Sequence, residues 1–161
     1  MNKPLNECVF DSTRRYRYLL IHRWDELFPR RVVVWVCLNP ARADEIFFDN
    51  TYRRIKAFTL AWGFNEFRIV NLFAYRAIDP RELSKVIDPI GPENDDWIDL
   101  TVKNAQRVVA AWGVGGQLLN RAEKVLALLK QTPELYYLRL TKAGFPAHPL
   151  YLPLKTQPQK F

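Results

Sequence analysis

Arg31 to Asp44 reads R-V-V-V-W-V-C-L-N-P-A-R-A-D, and the architecture turns on how that stretch folds. Val32, Val33, Val34, Trp35 and Val36 form a nearly unbroken β-branched and aromatic run, with no charge from Val32 to Leu38. A short, uncharged run of this kind is the pattern of a strand buried on both faces of a parallel sheet. It stops at Asn39-Pro40. Proline has no N–H for the ladder and pushes the residue before it out of the helical region. Asn39 is thus expected to be extended at the C-terminal rim of a central strand, where open α/β sheets gather ligands. The plainer alternative is that Asn-Pro simply turns the chain.

Working outward on the N-terminal side, residues 1–13 read as an irregular lead-in. Tyr16 to Ile21 has strand character with arginines around its start, and Trp24 to Pro29 is expected to turn the chain. This predicts an antiparallel edge strand beside the core strand, its basic side chains discouraging edge-to-edge pairing.

On the C-terminal side, Asp49 or Asn50 can cap a helix whose apolar face carries Ile55, Phe58 and Trp62, with Gly63 placed to end it. Arg53, Arg54 and Lys56 fall off that stripe, as a solvated face would. Phe67 to Leu72 reads as the next strand, completing a parallel crossover unit. Residues 78–92 are a loop punctuated by Pro80, Pro89, Gly91 and Pro92. A helix opening near Asn94 carries Ile98, Thr101, Val102 and Ala105. Arg107 to Trp112 is a third parallel strand. Gly113, Gly115 and Gly116 favour a tight turn over a phosphate loop, since the Walker spacing is missing. The following helix has Leu118, Ala122, Val125, Leu126 and Leu129 on one face. Leu135 to Leu140 is a last strand, and 154–161 an irregular tail.

Together these predict a single domain over residues 1–161. Its class is α/β, a three-layer α/β/α stack whose mostly parallel sheet has about four parallel strands plus the antiparallel edge strand. No run is long enough for a membrane span, and the N-terminus has no signal-peptide core. Cys8 and Cys37, with only two histidines, make no metal-ligand spacing, so neither metal nor cofactor is expected and a reducing cytoplasm is. The net charge of +7 favours a polyanionic partner, nucleic acid or nucleotide.

Asn39, Asn71 and His148 each follow an apolar strand. An amide offers donor and acceptor together, which suits the edge of a nucleobase or the orientation of a water. An imidazole can stabilise an anion or move a proton. Phe47, Phe48, Phe73 and Tyr75 lie in the same loops; Phe48 and Phe73 join Asn71 as candidates for base binding, against the alternative of local packing. Arg42, Arg76 and Lys142 are candidate phosphate contacts. Asp44 and Glu45 are alternative water activators, while Asp49 reads as a helix cap.

The ordered motifs L-N-P-A-R-A-D, D-N-T-Y-R-R, A-W-G-F, V-N-L-F-A-Y-R-A, D-P-I-G-P-E-N-D, A-A-W-G and L-T-K-A-G-F-P-A-H-P-L-Y-L span about Phe10 to Pro153. They resemble the family filed as domain of unknown function 1643, which carries no established activity. More distantly, Leu38-Asn39-Pro40, Val70-Asn71-Leu72, Ala111-Trp112-Gly113 and His148-Pro149-Leu150 resemble the uracil-DNA glycosylase superfamily. That resemblance implies a uracil-DNA glycosylase-like fold and metal-independent hydrolysis of an N-glycosidic bond. It implies that Asn39 positions the attacking water, Asn71 reads the base and His148 stabilises the departing base anion. Cys37 stands where such proteins have glycine, Leu150 follows His148-Pro149 in place of serine, and Asn39 replaces an aspartate that could act as a base. The alternative expectation is a non-catalytic module binding nucleic acid or a nucleotide in the same cleft, and a plainer one is a partner-binding scaffold.

Overall fold

Val32–Cys37 (β3) is buried at every residue and runs near the middle of a seven-stranded sheet. The computed structural model describes residues 4–25 and 29–161, so the turn expected over Trp24 to Pro29 lies partly outside the described residues. Strands Leu5–Phe10 (β1), Arg17–Arg23 (β2), Glu66–Asn71 (β4), Arg107–Ala110 (β5), Leu135–Tyr137 (β6) and Gln159–Lys160 (β7) complete the sheet, in the order β1-β2-β4-β3-β5-β6-β7. The central four, β4, β3, β5 and β6, are parallel, while β1, β2 and β7 pair antiparallel.

Helix Asn50–Ala61 (α1) covers one face of this sheet. Its Tyr52, Ile55 and Phe58 pack with Val33, Trp35, Phe67, Ile69 and Val109. Helices Asn94–Val102 (α2) and Arg121–Leu129 (α3) cover the other, through Ile98, Val102, Ala122, Val125 and Leu129 against Val34, Val36, Val70 and Val108. Alternate residues of β3 thus serve opposite cores, as a pleated strand requires. Having apolar partners on both faces, the strand needs an unbroken apolar sequence.

Several expectations need correcting. The stretch read as an irregular lead-in contains β1, half-buried along nearly its whole length and therefore lacking a clear alternation. Strand β2 is neither at the edge nor beside β3; it lies between β1 and β4. The tail returns as β7, pairing Gln159 and Lys160 with Tyr137 and Tyr136. The loop at 78–92 includes a short 3-10 segment, Pro80–Lys85. The parallel strands ending near 112 and 140 stop at Ala110 and Tyr137. Leu118 is not on α3, because Leu119 and Asn120 have φ of 55° and 52° and break the helical path before Arg121.

The register sets the rim. Cys37 pairs with Asn71 and Val36 with Ala110, so β3, β4 and β5 end close to one level. After β6 the chain returns to that level: Ala147 N–H donates to Arg139 O at 2.8 Å, and Gly113 N–H to Pro146 O at 2.7 Å. Among the described residues no helix is long and apolar enough to cross a membrane.

Candidate functional site at the carboxyl rim of the sheet

At this rim lies a cavity of about 500 Å³. Leu38, Ile69, Tyr52, Ile78, Trp112 and Leu150 make much of its wall apolar, and Asn39, Asn71 and His148 all line it. Three side chains remote along the chain are gathered because β3, β4 and the return after β6 finish together.

The hydrogen bonds assign their free atoms. Asn39 Nδ2 donates to Pro40 O at 3.0 Å and Ala77 O at 2.8 Å, which leaves Oδ1 as an acceptor. Asn71 is buried, and its Oδ1 accepts from Arg17 Nη2 at 3.3 Å. Arginine only donates, so the amide atom facing it is oxygen, and Nδ2 is the remaining donor. His148 Nδ1 accepts from Leu150 N–H at 3.2 Å, so in the neutral ring the proton is on Nε2. Burial pushes this imidazole below its ordinary pKa, an effect the Asp49 charge opposes. His148 is therefore a neutral donor near pH 7.

Chain around Asn71 is held from the far side. Asn94 Nδ2 donates to Asn71 O at 2.9 Å and Leu72 O at 3.1 Å. Buried Arg121 donates from Nε to Leu72 O at 2.7 Å and pairs with Asp95. These bonds fix the end of β4, and with it the direction of the Asn71 amide.

Two further residues, Asp49 and Arg17, line the cavity beyond the roles their sequence positions suggest. Asp49 does cap α1, its Oδ1 accepting from Tyr52 N–H at 2.9 Å and Oδ2 from Ala43 N–H at 3.3 Å, but it also lines the cavity. Arg17, expected among the basic side chains of an edge strand, lies on β2 between β1 and β4. It is 3% exposed, donates from Nη1 to Ala43 O at 2.6 Å, and lines the cavity as well. A charge opening an apolar strand was the available signal, but its meaning depends on whether that strand is central. Cys37, also on the wall, has its thiol pushed up to about 12 by burial and is inert as a nucleophile.

Other candidates lie elsewhere. Phe73 is fully buried in the core on the α2–α3 face and has no surface for a base. Phe48 stacks on Tyr52 at 4.4 Å and packs beside His22, outside the cavity. Lys142 is exposed in the turn before Phe145 and does not line the cavity. Arg42 and Arg76 line a neighbouring open groove with Arg14, Arg15, Phe47 and Tyr75, which shares Ala41 and Ile78 with the cavity. Asp44 and Glu45 are not on the cavity wall. Asp44 accepts from Phe47 and Ile46 N–H and lies 3.9 Å from Arg76. Glu45 pairs with Arg14 at 3.0 Å. Gly115 and Gly116 lie in a short 3-10 segment, Val114–Asn120, where an added Cβ would meet Leu38 and Trp112 respectively.

Among the described residues, no three His, Cys, Asp or Glu side chains gather as metal ligands. The model of the family described as "Protein of unknown function (DUF1643)" matches residues 17–150, from β2 through the His148 loop. No curated protein matches the chain.

Proposed function

For this chain, which belongs to the family described as Protein of unknown function (DUF1643), we propose a hydrolase that cleaves an N-glycosidic bond, in a uracil-DNA glycosylase-like architecture. The observation that carries it is the meeting of Asn39, Asn71 and His148 on one cavity wall. Asn39 Oδ1 accepts from a water and aims it at the sugar carbon. As the water oxygen bonds to that carbon, the C–N bond breaks and its electron pair leaves with the base. The water's proton passes to Asp49, whose carboxylate keeps lone pairs beyond those used in capping. The neutral His148 Nε2–H and Asn71 Nδ2 donate to the oxygen atoms on which the departing base gathers charge.

Base release from nucleosides, nucleotides and oligonucleotides with altered bases, read by chromatography, tests this. Asn39→Ala and His148→Ala are expected to slow release by roughly 10²- to 10³-fold each while remaining folded. No release by the native chain from any substrate, or release by both variants at the native rate, removes the proposal.

A second reading keeps the same cleft without turnover, as a module for nucleotide or single-stranded nucleic acid. The groove holding Arg14, Arg15, Arg42 and Arg76 favours it, since it opens beside the cavity and adds cations where phosphates would lie.

A further inference from the structure

Fully buried charges in this protein are paired, with one exception among the described residues. Glu66 receives Arg23 and Arg68, each at 2.7 Å, and Arg121 meets Asp95. Arg17 is equally buried, yet among the described residues no carboxylate lies within 4.0 Å of it. Its partners are two neutral oxygens, Ala43 O and Asn71 Oδ1, and its Nε has none. Burying a guanidinium against neutral acceptors leaves most of its desolvation cost uncompensated. Arginine does not escape by losing its proton. The nearby thiols of Cys8 and Cys37 stay neutral, being pushed up to about 11 and about 12. Asp49 acts on Arg17 only at longer range, one of its oxygens accepting from Tyr52 N–H at the α1 cap and the other from Ala43 N–H in the loop before it.

Resting on the reading of the cavity as a base site, we infer that Arg17 makes it a receptor for an acidic oxo-heterocycle bound as its anion. The missing counter-charge arrives with the ligand. A single delocalised negative charge suits the site better than phosphate. The wall is largely apolar, and the α1 N-terminus, which would otherwise hold phosphate, is already occupied by Asp49. The remaining donors, Asn71 Nδ2 and His148 Nε2, match ring carbonyl oxygens. Arg17 also orients the Asn71 amide, so charge and base edge are read by one connected pair.

Calorimetric titration of the full chain with uracil, 5-fluorouracil and 5-nitrouracil, a series of rising N–H acidity, tests this; hypoxanthine and xanthine form the two-ring arm. Affinity is expected to rise by about tenfold or more along the series at pH 7. The gain should vanish below the pH at which 5-nitrouracil becomes neutral. It should also vanish in Arg17→Gln and persist in Arg17→Lys. If Arg17→Gln does not fold, the pH dependence of the native chain decides. Equal affinity along the series overturns the anion inference and leaves the base site standing. A gain that survives in folded Arg17→Gln overturns the role of Arg17. Failure of every heterocycle to bind overturns both.

Discussion

Asp49 shows how one side chain serves two levels of structure. Its oxygens satisfy the amides of Tyr52 and Ala43, closing the start of α1 and fastening the loop that precedes it. The same carboxylate faces the cavity. Asp49→Ala is expected to lower stability by about 1 kcal/mol in urea denaturation, the usual loss for an N-cap. His22 gives a second test at this scale. It is enclosed by Trp24, Phe48, Tyr52 and Phe67, and bonded through Nδ1 to Asn6. Burial, with a smaller effect of Lys56, pushes its pKa down to about 4 from 6.5. Between those values the unfolded chain takes up a proton that the folded chain refuses, so acidification favours unfolding. Melting temperature should fall as pH drops from about 6.5 towards 4, and His22→Phe should reduce that fall. Equal pH dependence in the variant would show that His22 is not the group responsible.

At the scale of elements, the loop between β5 and α3 is governed by packing. A Cβ at Gly116 would lie 2.6 Å from Trp112 Cδ1 and 2.8 Å from Ala122 Cβ, neither of which sits at the end of a flexible chain. Gly116→Ala should therefore cost about 1–3 kcal/mol by overpacking, seen as a lower denaturation midpoint with an unchanged slope. Gly115 differs, since its added Cβ would meet Leu38 Cδ2, which can swing aside. The short elements were the least legible. Strand β1 has no two-residue alternation because most of its positions are half-buried, and β7 is a pair of exposed residues recruited by β6. By contrast β3 and α1 announce themselves, one by an unbroken apolar run and the other by an apolar stripe between Asp49 and Gly63.

Across the whole molecule, the +7 charge is unevenly used. Arg14, Arg15, Arg42 and Arg76 meet at the groove beside the cavity, although Glu45 and Asp44 neutralise part of it. If an oligonucleotide lies there, affinity should fall linearly on a log–log plot against salt, and Arg42→Ala should make the slope shallower. Binding insensitive to salt would separate the groove from nucleic acid. The sequence by itself determined the parallel centre, the position of Asn39 and Asn71 at strand ends, and the Asp49 cap, because these follow from local periodicity and from what proline forbids. Only the tertiary structure decided that β2 is an inner strand, that Arg17 is therefore a buried cation and not an edge charge, and that Phe73 belongs to the core. Strand order and the destination of a side chain depend on pairing between distant segments, and neighbouring residues along the chain carry no record of it.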